Sequence, residues 1–406
     1  MKEWKTYRLG DLIKISSGFP YKGEYIGRGE NYILGMGCVS FKETFLHSGL
    51  RAYSDEAPDR YIAKPGEIVL ATRQQSDNLP ILGMPAIIPH IYEGRKMIIG
   101  ANLYKVLNES NFTNEYIYWL MKSPAYIHHI RSCQTGTTVR MITKANIEDF
   151  TFNAPEEHER KRISDFLWNL ENKIQLNRQI NDNLEQQAQA LYKSWFVDFE
   201  PFLDGDFVES ELGLIPKDWQ CIQFSTFVSE SKVKTGEIGI KEFSVTNSGI
   251  FPRDAKYNKS LSQSSAKNKL IQRGDLVFGM SREILNWGVM QEERGGVSSA
   301  YAVYNINSAL VSSTYLELFI KSRVYLFSDL IRPAAREGQS IDKSLLQTKV
   351  LLLPPKDVLD TFWPLYNSLI NQIQTTVTEI DSLGNIRDTL LPKLMSGELK
   401  INEIDS

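Results

Sequence analysis

The sequence is poor in the features that mark membrane and secreted proteins. It has no run approaching the roughly 18 consecutive apolar residues of a membrane-spanning helix, and its first residues, MKEWKTYRLGDL, lack the apolar core of a secretory signal. Only three cysteines occur among 406 residues, and their wide separation fits neither a disulfide framework nor a metal site. These absences predict a cytoplasmic protein.

Patterns typical of catalysis are scarce as well. The chain has no Gly-x-x-x-x-Gly-Lys-Ser/Thr phosphate loop. It also lacks the Asn/Asp-Pro-Pro-aromatic turn of DNA amino-methyltransferases, because residues 353–356 (LPPK) supply neither the amide nor the ring. Its histidines and acidic residues form no ligand set at metal-site spacing. The sequence therefore predicts a binding protein with no catalytic residue, no bound metal and no cofactor of its own.

What the chain does contain is a long helical pattern that occurs twice. Apolar side chains recur at alternating steps of four and three through residues 155–195, and the same spacing returns 199 positions later through residues 354–394. This heptad spacing lets one helix face pack continuously on another. Two unrelated amphipathic helices would not share both register and residue identity, so the pattern predicts an internal duplication. The predicted helix–helix seam comprises Ile163, Leu167, Leu170, Ile174, Leu184, Leu191, Leu369, Ile373, Ile380, Leu383 and Leu390.

Some residues interrupt this pattern. Asn177 and Asn181 lie in the seam, where polar residues fix register; the alternative is a solvated seam at the end of a partner helix. Pro364 predicts either a kink or the true first turn of the second helix. Gly384 in a helix interior costs about 1 kcal/mol relative to alanine.

Charge alternates along the chain in the same way as the helical pattern. Residues 1–155 and 219–353 carry net charges of +3 and +5, whereas residues 156–218 and 354–406 carry −7 and −4. Basic segments can meet phosphate, and acidic helices avoid it. An excess of this size also occurs on ordinary solvated surfaces, so charge alone does not decide the function.

The two basic segments share a mixed pattern of short strands and helices. A turn at residues 64–67 (KPGE) precedes a predicted buried strand at residues 68–71, and residues 273–278 repeat that order. Residues 114–122 and 312–323 predict corresponding helices, the first capped by Asn114. The predicted fold class is α+β, with two mixed α/β globules separated by two long antiparallel helices in a pseudo-twofold repeat.

Loops in both globules have the composition of DNA-reading surfaces, where Arg, Lys, Asn and Gln reach base edges and Ser or Thr contacts phosphate. Each loop could equally be an ordinary solvated surface. The predicted DNA-binding residues are Arg73, Gln74, Gln75, Asn78, Thr137, Thr138, Arg140, Arg282, Asn286, Gln339, Ser340 and Lys343.

Several motifs give the chain a resemblance to a known family. They are WFVDFEPF at residues 195–202, LLPKLMSGEL at residues 390–399, and the paired strand motifs at residues 66–70 and 274–278. With the repeated helices, they make the chain resemble the specificity (S) subunit of type I restriction–modification enzymes over essentially its full length. The C-terminal motif is the most specific of these features.

The resemblance implies a set of domains and partners. It implies target recognition domains at residues 1–154 and 219–353, each reading half of a bipartite double-stranded DNA site in a bacterial defence system. It also implies a central conserved region at residues 155–218 and a distal conserved region at residues 354–406, which set half-site spacing and dock two methyltransferase subunits.

The same resemblance places the chemistry in other chains. S-adenosylmethionine would belong to the methyltransferase subunits, and ATP and Mg²⁺ to motor–nuclease subunits of the complete complex. The alternative from another class of protein is a stand-alone coiled-coil interaction protein whose globules bind protein or glycan. Salt-dependent retention on mixed duplex DNA separates the two hypotheses.

Overall fold

The chain divides into two compact units, and the boundary between them falls within each of the two long helices. The computed structural model describes residues 4–74, 80–237, 239–253, 265–281, 283–331 and 341–404. Unit 1 contains Met1–Asn181 and Thr375–Ser406, and unit 2 contains Asp182–Gln374. The division into four segments made from the sequence stays a prediction, whereas the mixed helix and strand composition is confirmed.

The first globule combines short strands with three short helices. Its strands are β1 (Lys5–Arg8), β2 (Ile13–Ser17), β3 (Ile26–Leu34), β4 (Leu50–Tyr53), β5 (Ile62–Ala63), β6 (Ile68–Ala71), β7 (Arg73–Gln74), β8 (Pro85–Ile87), β9 (Met97–Ile99), β10 (Leu103–Asn108), β11 (Arg140–Met141) and β12 (Thr151–Ala154). Its helices are α1 (Asn114–Lys122), α2 (Pro124–Cys133) and α3 (Lys144–Glu148), and the long helix α4 (Glu157–Phe196) follows.

The second globule follows a similar plan. Its strands are β13 (Phe207–Ser210), β14 (Gly213–Pro216), β15 (Gln220–Gln223), β16 (Val228–Ser231), β17 (Phe243–Thr246), β18 (Gly249–Pro252), β19 (Lys269–Gln272), β20 (Leu276–Phe278), β21 (Trp287–Val289), β22 (Arg294–Val297), β23 (Ala302–Ile306) and β24 (Val350–Leu353). Its helices are α5 (Ser313–Ser322) and α6 (Lys343–Thr348), and the second long helix α7 (Lys356–Ser396) follows.

Each unit contains an antiparallel four-stranded sheet with an equivalent strand order. The order is β2-β10-β6-β8 in unit 1 and β16-β23-β20-β21 in unit 2. The central strands β6 and β20 are buried on both faces. This burial agrees with the continuous apolar runs of their sequences.

A matching turn leads into each central strand. Gly66 and Gly274 adopt φ values of +79° and +88°, which favour glycine. The following carboxylates close these turns: Glu67 accepts from the Lys64 amide at 2.7 Å, and Asp275 accepts from the Gln272 amide at 2.8 Å. The turn predicted at residues 64–67 is therefore confirmed, as is the buried strand after it.

Helix α1 has the predicted bounds but a different cap. The Thr113 hydroxyl accepts from the Tyr116 amide, so Thr113 and not Asn114 is the N-cap. The Asn114 amide nitrogen instead donates to the Gly66 carbonyl at 2.8 Å and ties the helix to the turn before β6. A threonine directly before an asparagine gives the sequence two candidate caps, and the tertiary contact of Asn114 decides between them.

The second long helix runs through both residues that were expected to disturb it. Because α7 begins at Lys356, Pro364 does not mark its first turn, and that alternative is wrong. A Cβ atom at Gly384 would meet no other atom within 4 Å, so no close packing requires glycine there.

Within unit 1, the first part of α4 packs antiparallel on the last part of α7. Arg387 pairs with Glu171, and Asn177 donates to Glu379 at 2.9 Å. The Thr376 hydroxyl donates to the Asn181 amide oxygen at 2.5 Å. In these contacts the residue numbers increase along α4 as they decrease along α7, which makes the packing antiparallel. Both asparagines form hydrogen bonds to the facing helix. The alternative of a solvated seam at these asparagines is therefore wrong.

Burial along α4 departs from a strict seven-residue spacing at two places. Leu170 and Leu191 are half-buried, whereas the next residues, Glu171 and Tyr192, are buried. A straight helix has about 3.6 residues per turn, so a strict heptad drifts around its surface and the buried face moves to the neighbouring position. The other seam positions of α4 are buried, namely Ile163, Leu167, Ile174 and Leu184, and those of α7 are half-buried, namely Leu369, Ile373, Ile380, Leu383 and Leu390.

Candidate nucleic-acid interface

Strand pairing in unit 1 joins the two loops that the sequence singled out. Arg73 and Gln74 form β7 and pair with β11, with Arg140 opposite Gln74 and Met141 opposite Arg73. The first predicted loop therefore begins as a strand, because the second loop supplies a partner that local sequence does not reveal. The predicted contacts Gln75 and Asn78 lie outside the described residues.

The second loop is a tight structure that presents two threonines. Thr135 and Met141 exchange backbone hydrogen bonds of 3.0 and 2.8 Å, which close the loop. Gly136 adopts φ +91°, and a Cβ atom there would lie 2.2 Å from the Val139 carbonyl oxygen, so only glycine fits. Thr137 and Thr138 are exposed at the tip, where their hydroxyls can reach a ligand.

The two side chains of β7 have different surroundings. Arg73 is exposed. Gln74 is only 7% exposed, and its amide oxygen accepts from the Leu82 amide at 3.3 Å. Successive strand residues point to opposite faces. This placement favours a structural role for Gln74 and leaves Arg73 as the side chain of β7 that can meet a base.

Two residues beside these loops were missed by sequence reasoning. Lys144, the first residue of α3, lies with its Nζ 5.7 Å from the centre of the Tyr104 ring. The Tyr104 hydroxyl donates to the Ile142 carbonyl at 3.3 Å. Burial raises the pKa of Tyr104, and the positive charge of Arg73 partly opposes that rise. Arg73, Tyr104 and Lys144 thus form one basic and aromatic patch.

A signal for Lys144 was present in the sequence. Lys343, which was predicted as a DNA contact, lies 199 positions later, the same offset that relates the two long helices. Extending the helical repeat backwards by some ten residues would have singled out Lys144.

In unit 2, three of the predicted contacts, Arg282, Gln339 and Ser340, lie outside the described residues. Asn286 is described and closes the connection between β20 and β21. Its side-chain nitrogen donates to the Met280 carbonyl at 2.6 Å, and its backbone amide donates to the Ser281 hydroxyl at 2.8 Å. These bonds give Asn286 a structural role in that connection.

Lys343 belongs to a lysine-rich cluster in unit 2. Its ammonium group pairs with the Glu230 carboxylate. Burial opposes ionisation of Glu230, but the hydrogen bond and charge of Lys343, with the charges of Lys232 and Lys269, lower its pKa overall. The pKa of Lys269 is lowered by burial and then by the charge of Lys343. Three lysines thus act on one carboxylate, and Lys343 makes the ion pair with it.

Metal sites and membrane-spanning helices are absent from the described part of the chain. Among the residues that the structure describes, no group of three or more His, Cys, Asp or Glu side chains could hold a metal ion. Across the same ranges, no helix combines the length and the apolar character that crossing a bilayer requires.

Comparison with known proteins supports the resemblance found in the sequence. Residues 1–186 match the family model described as the type I restriction modification DNA specificity domain. The resemblance inferred from the sequence is confirmed: the first part of the chain matches this family model, and the chain is similar to specificity subunits of type I restriction enzymes.

Particular relatives extend the likeness along the chain. The type I restriction enzyme MjaIX specificity subunit of Methanocaldococcus jannaschii is 22% identical, with 99% of this chain and 95% of that protein covered. The HindI specificity subunit of Haemophilus influenzae is 30% identical, over 50% of this chain and 42% of that protein. The crystal structure of a type I S subunit from M. genitalium shares the fold with a TM-score of 0.51 at 12% identity, covering 97% of this chain and 96% of that one.

Proposed function

We propose that each unit reads one half of a bipartite double-stranded DNA site for a type I restriction–modification complex. The observation that carries this proposal is the pairing of β7 with β11, which brings Arg73 and the threonine-tipped loop to one place beside Lys144. Arginine and threonine are residues that contact base edges, and lysine is suited to phosphate. Unit 2 supports the same proposal through the cluster around Lys343.

The long helices are proposed to dock methyltransferase subunits. Apolar side chains lie exposed on their surfaces: Leu176 is 51% exposed on α4, Val377 is 38% exposed on α7, and Ile180 and Ile386 are also exposed. Leu176 and Ile180 are four residues apart and therefore lie on one face of α4. A contiguous exposed apolar patch is the kind of surface that marks a protein interface. S-adenosylmethionine would then belong to the methyltransferase subunits, and ATP and Mg²⁺ to motor–nuclease subunits, with no cofactor in this chain.

The same helices are proposed to set the spacing between half-sites. Helix α4 has 40 residues and α7 has 41, and a helix of this length extends about 60 Å at ~1.5 Å per residue. Both helices cross the boundary between the units, at residues 181/182 and 374/375. A continuous helix is stiff, which suits a fixed separation between two reading surfaces.

The test is co-expression with a type I methyltransferase subunit, followed by mapping of methylated adenines. The proposal expects the complex to methylate adenines at one bipartite sequence. The purified chain alone should methylate neither DNA strand. The Arg73→Ala variant should relax one half of that sequence, while Lys193→Ala, at an exposed lysine on α4, should leave both halves unchanged. Methylation without sequence preference in the wild-type complex would contradict the proposal.

A further inference from the structure

The two halves keep one lysine at an equivalent place. Lys144 and Lys343 are separated by 199 residues, and each is the first residue of a short helix, α3 or α6. The residue before each caps its helix: the Thr143 hydroxyl accepts from the Asn146 amide, and the Asp342 carboxylate accepts from the Ser344 and Leu345 amides. The lysine therefore has the same backbone setting in both halves.

Helix energetics do not explain why lysine occupies this place. The first turn of a helix carries partial positive charge and favours acidic side chains, so a lysine there is locally unfavourable. A residue that breaks a local rule in both copies points to a function that outweighs the local cost.

Both lysines lie in surroundings rich in positive charge. Among the residues that the structure describes, Lys144 has no carboxylate partner, and it lies beside Tyr104 and Arg73. Lys343 pairs with the Glu230 carboxylate, and the charges of Lys232 and Lys269 also lower the pKa of that carboxylate. Each place is thus suited to an added anion.

We infer that Lys144 and Lys343 each bind a DNA backbone phosphate beside their own half-site, as anchors that do not read sequence. This inference rests on the proposed function and adds a division of labour within each unit. Phosphate is the same at every step of the duplex, so the residue that binds it can stay constant while base-reading residues change. Arg73 and the loop tip at Thr137 and Thr138 are then left to read the bases of the first half-site.

The test measures how the affinity of the full chain for two DNA duplexes depends on salt concentration. One duplex has a mixed sequence, and the other carries the target sequence identified by methylation mapping. Each phosphate contact contributes about 0.9 to the slope of log affinity against log salt, or roughly 3.5-fold between 50 and 200 mM salt. Lys144→Met and Lys343→Met should each lower that slope by about 0.9 on both duplexes, and the ratio of specific to mixed-sequence affinity should not change. Both changes together should lower the slope by about twice as much.

Matched controls separate this role from general loss of charge. Lys14→Met removes an exposed lysine of unit 1 that pairs with Glu109, and Lys321→Met removes one of unit 2 that pairs with Glu317. Both controls should keep the wild-type slope. The Glu230→Gln variant, which removes the carboxylate partner of Lys343, should tighten binding to both duplexes.

The outcomes distinguish this inference from the proposed function. Wild-type binding with an unchanged slope in both lysine variants would overturn the inference and leave the proposed function standing. A change in preference at one half-site would make the lysine a base contact and would also overturn it. If the wild-type chain bound no duplex at any salt concentration, both the inference and the proposed function would fail.

Discussion

The buried ion pair between Glu171 and Arg387 joins the two long helices within unit 1. Their side chains are 2% and 10% exposed. Glu171 also accepts a hydrogen bond of 2.8 Å from Gln175, and Arg387 contacts Asp388 at 2.8 Å. The pair is therefore hydrogen-bonded beyond its own contact, which is the condition under which buried charges are tolerated.

Removing one partner should be costly, and removing both should not. Arg387→Met leaves the Glu171 carboxylate buried and unpaired, a loss of about 3–5 kcal/mol for such pairs. The double variant Glu171→Ile/Arg387→Met should recover most of that loss, because apolar replacement of a buried pair is often neutral or stabilising.

The places of the repeat that are equivalent to this pair carry no charge. At the 199-residue offset, Glu171 corresponds to Ile370 and Arg387 corresponds to Ala188. Apolar residues therefore occupy both of these equivalent places, with Ala188 buried on α4 and Ile370 37% exposed on α7. Of the two equivalent places, the one in unit 1 has the charged pair and the one in unit 2 does not.

Urea unfolding followed by tryptophan fluorescence and circular dichroism measures this prediction. A chain with two units can unfold in more than one step, so the transition that reports unit 1 has to be resolved. Lys161→Met is the matched control, since it breaks an exposed α4 pair with Asp165 and should change stability by under about 0.5 kcal/mol. A single-variant loss below about 1 kcal/mol, or a double variant as unstable as Arg387→Met, would refute the reasoning.

Three further predictions follow from the site, the helices and a buried lysine. Arg73→Ala should weaken specific binding by about 1–3 kcal/mol if the guanidinium contacts guanine, and methylation mapping should show one relaxed half-site; equal relaxation of both halves would contradict that role. Inserting one heptad after both Leu184 and Leu383 should lengthen the gap between half-sites by about three base pairs, from ~1.5 Å per helical residue and ~3.4 Å per base pair; an unchanged gap would assign spacing to the partner subunits. Burial, and then the charge of Arg387, lowers the pKa of Lys122 from 10.5 to about 7. Between pH 7 and pH 10.5 the Lys122 amine is therefore protonated in the unfolded chain but mostly neutral in the folded one. Stability should therefore rise as pH increases from about 7 towards 10, and Lys122→Met should flatten the denaturation profile over that range.

The repeated helices and the local turns were determined by the sequence itself. Heptad spacing with identical residues 199 positions apart predicted two long helices, and α4 and α7 begin and end within two residues of the repeat limits. The turn at Gly66 and the strand after it follow from local steric preferences, since glycine alone tolerates that φ value without strain. Interactions that are local in sequence, or periodic along it, can be recognised without knowledge of the fold.

The composition of the site was decided by tertiary structure. Gln74 has the character of a base-reading residue, yet pairing of β7 with β11 and a hydrogen bond from the Leu82 amide hold it inside the unit. Lys144 joins Arg73 because β7 pairs with β11, across more than sixty residues of chain. Glu171 takes the seam position expected of Leu170, because the buried face of a straight helix drifts from a strict heptad and Arg387 compensates its charge. Such placements depend on partners far away in the sequence, so the residues next to each one along the chain do not predict them.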